Sequence, residues 1–367
     1  LAESSAATPA ASPKGVAPWI LAVNPGSVTT KLALFAGESL HASATLCHEP
    51  GELAPEIPAQ LELRTKLTAD WLDSALAGHK LGAVVGRGGM LKPIPGGTYI
   101  VNKAMLRDLG LGVQGQHASN LGGLIAHELA VRHGVRAYIV DPVSVDEMEP
   151  LARISGLPEI CRRSPSHALN IRAIARRAAA DLGENYHETN LILIHLGTGI
   201  SVAPLAGGRM VDVNNANEMG PFSPERCGGL PAGDLAALCF SGRYQEKQLR
   251  QILVRRGGLL AYLGTNDGQE IEKRIGQGDE KARLIYEAMA YQVAKEAGAM
   301  ATVLKGRVRA IVLTGGLARS DLLCGWVRER VSFIAPVLVY PGEDELLALA
   351  QGCLRVLLGK EESREYV

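Results

Sequence analysis

Aromatic side chains make up only 4% of the 367 residues, so any core has to be built from the aliphatic residues that dominate the 47% hydrophobic fraction. Charge shows no excess of either sign, with 38 Lys and Arg against 38 Asp and Glu. That balance argues against a nucleic-acid footprint or a polybasic membrane surface and leaves a small molecule as the expected ligand. The six cysteines (Cys47, Cys161, Cys227, Cys239, Cys324, Cys353) form no CxxC pair and show no metal-ligand spacing. Reduced, mostly buried thiols are therefore expected. The longest weakly charged run, LILIHLGTGISVAPLAGG from Leu191, is interrupted by glycines and a proline before it could cross a bilayer as a helix. Residues 1–18, LAESSAATPAASPKGVAP, contain no sustained apolar region and read as a disordered tail, not a signal peptide. A cytoplasmic location follows as an expectation.

Glycine, by contrast, is abundant at 42 residues, and the length exceeds that at which one core stops growing, so two domains are expected. Apolar runs alternate with helical patterns: GAVVGRG and RAYIVDP read as strands, NLGGLIAHELAVRHG and HALNIRAIARRAAADLG as helices. This is an α/β pattern. It is also duplicated. WILAVNPGSVTTKLALF reads as a hairpin with a polar tip, and NLILIHLGTGISVAPLAGG repeats it, His195-Leu196-Gly197 standing where Asn24-Pro25-Gly26 stood. Further on, VRAIVLTGGLARSD parallels GAVVGRGG, and PVLVYPGED parallels RAYIVDPVS. By pattern alone the halves divide near residue 165.

Backbone N–H groups at Gly/Ser/Thr turns approach a polyphosphate closely and donate several bonds at once. In the first tip Ser27, Thr29 and Thr30 offer hydroxyls, Lys31 a cation, and Asn24 an amide for phosphate or a metal-bound water. In the second, Gly197, Thr198 and Gly199 offer bare backbone beside His195. The third element, Thr314-Gly315-Gly316-Leu317-Ala318-Arg319, lies at a strand-to-helix junction where missing Cβ atoms let a base and ribose pack against the chain.

This order of motifs, NPGSVTTK, HLGTGISVA and LTGGLARSD, resembles the acetokinase branch of the actin/hexokinase/Hsp70 superfamily. Within that branch GGTYIVNKAMLRDLGLGVQGQHASNLGGLIA, DPVSVDEM and NEMGPFSPERCGGLPAGDLAALCFSG are similar to the butyrate kinase family. The resemblance implies two ribonuclease-H-like (actin-like) domains with a nucleotide cleft between them, residues 19–165 and 166–341, with a C-terminal helix of about 342–367 packing back on the first. It implies reversible transfer of the ATP γ-phosphoryl to butyrate, with ATP/ADP and Mg²⁺, in a homo-oligomer. The same chemistry on isobutyrate, propionate, acetate or a 2-keto acid, and a nucleotide-gated binding module of the actin or Hsp70 kind, are the alternatives.

Arg87 closes the strand GAVVGR, and a guanidinium can hold a carboxylate by two parallel bonds. By resemblance it binds the substrate carboxylate and stabilises the transferring phosphoryl, and Gly88-Gly89 beside it are expected to leave room for the alkyl tail. Asp141 matches the family's catalytic aspartate near the metal. Glu345 matches a carboxylate that holds Mg²⁺ through water, with Glu343 and Asp344 as neighbours that could serve instead. Asn24 completes the expected metal set. His117 and Asn120 are read as either capping a helix or lining the substrate site, and His167 as structure at a helix start. Three departures accompany the resemblance: Pro231 stands where acetate kinases carry a second arginine, their histidine near Arg163 is missing, and Val28 replaces a hydroxyl residue.

Overall fold

The computed structural model describes residues 17–49 and 51–367. Most of the expected tail, residues 1–16, lies outside the described residues, while the Pro18 carbonyl accepts from the Gly37 N–H at 2.9 Å. The chain forms two compact units. One contains the described residues up to Met90, Gly97–Val140 and Leu349–Val367; the other contains Leu91–Gly96 and Asp141–Ala348.

In the first unit β1 (Trp19–Pro25) and β2 (Thr29–Ala36) form the antiparallel hairpin that the apolar runs predict, with Asn24 opposite Lys31. Strand β3 (Ser39–Cys47) extends it. After helix α1 (Leu61–Leu76), β4 (Leu81–Arg87) lies parallel to β1. Then β5 (Thr98–Ile100), α2 (Lys103–Leu111) and α3 (Asn120–His133) lead to β6 (Arg136–Val140), parallel to β4. The sheet order is β3-β2-β1-β4-β6-β5. Helix α3 lies so close to β4 that a Cβ on Gly86 would stand 2.0 Å from the Gly122 carbonyl oxygen, and one on Gly122 2.2 Å from that of Arg87. The glycine pair in SNLGGLIA is thus what lets the helix fix the end of the central strand. The C-terminal segment is sewn to the same unit, since the Tyr366 hydroxyl donates to Asp108 Oδ2 at 2.9 Å and Asn102 Nδ2 to the Tyr366 carbonyl at 2.8 Å.

The second unit begins with α4 (Pro150–Arg153) and α5 (Ala168–Asp181). Hairpin β7 (Leu191–Leu196) and β8 (Ile200–Ala206) follows, with the short β9 (Arg209–Met210) beside it. Helices α6 to α9 (Ala232–Cys239, Glu246–Arg255, Gly258–Leu263, Gly268–Gly276) and the long α10 (Glu280–Val303) precede β10 (Ala310–Gly315). A single 3₁₀ turn (Gly316–Arg319), α11 (Asp321–Val331), β11 (Val337–Pro341) and α12 (Glu345–Leu357) complete it, the last helix continuing into the first unit. The order β11-β10-β7-β8-β9, with β7 antiparallel to β8 and parallel to β10, repeats the arrangement of β6, β4, β1, β2 and β3. The duplication seen in the motifs is therefore a duplication of topology.

Both faces of the second sheet are covered, which is why β7 reads as an apolar run broken only by His195. Ile192, Ile194 and Leu196 point to the face carrying Met289, Val293 and Ala297 of α10 and Leu323 and Val327 of α11. Leu191 and Leu193 point to the face of Ile171, Ala175 and Ala178 on α5. Alanine on the helices, in place of large aromatics, brings the layers close. The cysteines differ from expectation: all six are free, but Cys324 and Cys353 alone are buried, while Cys47, Cys161 and Cys239 are exposed because they fall on a partly solvated strand, a loop and the unburied helix α6. Among the described residues no helix is long and apolar enough to cross a membrane.

Candidate active site

In the first unit the tip between β1 and β2 carries Asn24 half-buried at the strand end, Ser27 exposed, Thr29 half-buried and Lys31 exposed. The turn is closed by the Gly26 N–H donating to the Thr29 carbonyl at 2.7 Å. Thr30, expected to offer its hydroxyl outward, has no exposed surface; its Oγ1 takes a bond from Arg64 Nη1 at 2.8 Å and lies 3.0 Å from His48 Nε2. Alternation along β2 turns it inward.

Arg87 sits half-buried at the end of β4, next to the buried Gly88 and Gly89. Gly89 does not leave open space. A Cβ there would stand 2.6 Å from Asn120 Cα and 2.4 Å from its Oδ1. Asn120 is itself buried and occupied at both ends: its Oδ1 accepts from the Met90 N–H at 2.9 Å and its Nδ2 donates to the Gly115 carbonyl at 3.0 Å. The structure thus gives Gly89 and Asn120 a packing task, locking the β4 loop to the start of α3. His117 is exposed and its Nδ1 accepts the Ser119 N–H at 3.2 Å, a local bond at a helix start.

In the second unit Gly197 is buried, Thr198 exposed and Gly199 buried, and the Gly197 N–H donates to the Gly199 carbonyl at 3.2 Å. Ser223 Oγ donates to the Thr198 carbonyl at 2.5 Å, and the Arg226 guanidinium lies where a Gly199 Cβ would point, 2.4 Å from it. Burial lowers the Arg226 pKa from its ordinary value. The segment PFSPER, which nucleotide binding in general does not require, is therefore the bed of the second tip. His195 shares the α5 face with Leu191 and Leu193. It is 1% exposed, stacks on His167 (3.9 Å between ring centres), and has Nδ1 2.9 Å from Asn170 Oδ1 and Nε2 3.2 Å from Glu343 Oε1.

Gly315 has φ +95° and no room for a side chain, because a Cβ would stand 2.4 Å from the Leu196 carbonyl oxygen. Gly316 is different: no atom lies within 4 Å of where its Cβ would be, and its φ is outside the left-handed range. The fold does not explain that glycine, whereas a flat ligand laid against it would. Arg319, exposed, closes the 3₁₀ turn beside Gly342.

Asp141, at the end of β6, is 4% exposed and holds φ +38°, a left-handed conformation that costs a non-glycine residue roughly 1 kcal/mol or more. Arg172 of α5 pairs with it, Nε 2.9 Å from Oδ1. The same guanidinium donates from Nη1 to Glu147 Oε2 at 3.0 Å and to the Gly208 carbonyl at 2.9 Å. Glu147 also accepts the N–H groups of Gly96 and Met210. Of the acids at 343–345, Asp344 Oδ1 accepts the Leu347 N–H at 3.1 Å and so caps α12, Glu343 faces His195, and Glu345 opens the helix. Among the described residues no three His, Cys, Asp or Glu side chains gather as metal ligands.

Arg64, Arg172, Ser223 and Arg226 were not singled out from sequence. One signal was present: Arg64 falls on the stripe Arg64, Thr68, Leu72, Leu76 at spacing four, all buried in α1, a cation where an apolar residue is the rule.

Residues 158–332 match the Acetokinase family. The chain is 50% identical over 350 residues to the probable butyrate kinase 2 of Caldanaerobacter subterraneus subsp. tengcongensis, covering 95% of this chain and 99% of the relative. It is 50% identical over 351 residues to butyrate kinase 2 of Clostridium acetobutylicum, with the same coverage. In fold it is similar to the acetate kinase of Porphyromonas gingivalis, at a TM-score of 0.76 and 20% identity over 92% of this chain and 99% of that one.

Proposed function

Because the chain belongs to the acetokinase family, whose members are carboxylate kinases, we propose that it transfers the γ-phosphoryl of ATP reversibly to butyrate, giving butanoyl phosphate and ADP. The observation that carries the reading is the repeated hairpin tip, Asn24–Lys31 in one actin-like domain and His195–Gly199 in the other, each ending equivalent strands in turns that bare backbone N–H groups. The 50% identity to butyrate kinases over 95% of the chain supports butyrate over shorter acids.

Butyrate is ionised at neutral pH, far above a carboxylic pKa of about 4 to 5, so no general base is required. A carboxylate oxygen attacks the γ-phosphorus in line; the new O–P bond forms as the bond to the β-phosphate oxygen breaks, and its electron pair leaves with ADP. Arg87 holds the carboxylate and the charge that spreads over the phosphoryl oxygens. Asn24, Ser27, Thr29, Lys31 and the Gly197–Gly199 turn hold the phosphates, and Gly316 with Arg319 receives the nucleoside.

The residues expected to hold the metal, a buried carboxylate (Asp141) fixed by Arg172 and the acids at 343–345, offer oxygen donors, which suit a hard, partly hydrated cation such as Mg²⁺. Asp141 and Glu345 or Glu343 would hold it, and it would neutralise phosphate charge. A cytoplasmic homo-oligomer belongs to the same proposal.

An acyl-hydroxamate assay with acids of two to five carbons tests the reading. Butyrate should give the highest kcat/KM, and Arg87→Ala should lower it by about a hundredfold while ADP binding persists. ATP binding without product from any acid would leave a nucleotide-gated binding module in its place.

A further inference from the structure

Arg64 has no exposed surface and yet, among the described residues, no carboxylate partner. Its five N–H donors meet five neutral acceptors. Nε donates to Gln60 Oε1 at 3.1 Å, Nη1 to the Thr29 carbonyl at 2.9 Å and Thr30 Oγ1 at 2.8 Å, and Nη2 to the carbonyls of Gly26 at 3.0 Å and Ser27 at 3.1 Å. Four of the five acceptors belong to the tip between β1 and β2. Burying a guanidinium without a counter-charge is costly, and burial lowers its pKa from the ordinary value. A structural staple could have been built from neutral donors, so the retained charge calls for a reason.

The geometry of the tip supplies one. The peptides 26–27 and 27–28 both turn their carbonyls onto Arg64. No peptide among the described residues is cis, and a trans peptide sets the following N–H opposite its carbonyl. The N–H groups of Ser27 and Val28 therefore point away from Arg64, at a position where both side chains are exposed. Neither N–H donates to another protein group among the described residues. Two successive outward amides make an anion-binding concavity, with a cation directly beneath. Val28 contributes through its backbone, so its lack of a hydroxyl does not empty the site.

We propose that Arg64 is a positioning residue for polyphosphate: its fork holds the tip carbonyls inward so that the Ser27 and Val28 amides face a terminal phosphate of ATP or ADP, whose charge offsets the buried cation. The inference rests on the phosphate reading of this tip. Lysine would keep the charge but could not span three carbonyls, because its donors sit on one small ammonium and not on a planar fork.

The test compares Arg64→Lys and Arg64→Met with wild type by calorimetric titration of ATP, ADP and AMP, with amide exchange of the peptide spanning the tip. In folded Arg64→Lys, ATP affinity should fall at least tenfold while AMP affinity stays within about twofold, and Arg64→Met should lose more. A purely structural arginine would weaken all three nucleotides alike, and an unchanged ATP-to-AMP ratio in a folded variant overturns the proposal. If neither variant folds, wild type decides: ATP must slow exchange at Ser27 and Val28 and AMP must not, and equal exchange with both overturns it. A wild type whose tip amides are protected by ATP but which phosphorylates no acid would sink the butyrate reading and leave Arg64 in place. Turnover of butyrate without that protection would do the reverse.

Discussion

Replacing Arg172 with methionine should be among the most damaging single changes in the second unit. The guanidinium is 7% exposed and serves Asp141 at 2.9 Å, Glu147 at 3.0 Å and the Gly208 carbonyl at 2.9 Å, its acidic partners being 5% and 9% exposed. Methionine fills much of the arginine stem and adapts to irregular gaps, so little of the loss comes from a cavity. What remains is two buried carboxylates without their cation, a loss of about 3–5 kcal/mol. For a unit of about two hundred residues, where 1 kcal/mol moves Tm by about 2–4 °C, that is a fall of about 6–20 °C. Asp141, already in a left-handed conformation, would also lose the contact that orients it, and a misplacement of about 1 Å at a reacting centre can cost about a hundredfold in rate. Thermal melts and the hydroxamate assay read the two effects separately. Glu147→Gln in the Arg172→Met background should recover part of Tm but little of kcat, because it removes one stranded charge without repositioning Asp141. An Arg172→Met protein that melts within about 2 °C of wild type with unchanged kcat would refute the reasoning.

Gly316→Ala should melt normally or slightly higher, since no atom lies within 4 Å of the new methyl, while ADP affinity falls by a factor corresponding to about 1–3 kcal/mol of overpacking; unaltered ADP titration would remove the nucleoside from this turn. Gly89→Val should lower Tm through its clash with the Asn120 backbone and leave the butyrate-to-acetate ratio of kcat/KM alone, so a normal Tm with a shifted ratio would restore the glycine to the alkyl pocket. His48 lies beneath the first tip, its pKa lowered from 6.5 by burial and then by the Arg64 charge. A depressed folded-state pKa means that the unfolded chain binds the proton first as pH falls. His48 thus supports full stability above about pH 6.5 and withdraws it below. Urea melts at pH 7.5 and 5.5 should show a smaller pH dependence in His48→Gln than in wild type, and equal dependence would place the effect elsewhere.

Local features of the chain were enough to establish its elements and their duplication. The runs flanking Asn24–Lys31 and Gly197–Gly199 form hairpins because Ile20–Val23, Leu32–Phe35 and Leu191–Leu196 are strand-length apolar stretches bounded by glycine turns, a signal carried within some twenty residues. The same locality placed Arg87 and Asp141 at strand ends and Gly316 at a strand-to-helix junction. Tertiary structure decided what those residues are free to do. Asn120 bonds the Met90 N–H thirty residues away, Thr30 takes a bond from Arg64, and Gly89 packs on the start of α3, partners that spacing along the chain does not name. The charges followed the same rule: Arg172 looks like an ordinary helix-surface arginine in sequence, and its burial follows from which helix face meets the sheet. Long-range hydrogen bonds also return Leu349–Val367 to the first unit, more than two hundred residues after that unit's strands. Spacing along the chain records the period of an element and the position of its turns. It does not record which acceptors a buried donor will meet, because those come from segments brought together only when the sheets close over their helices.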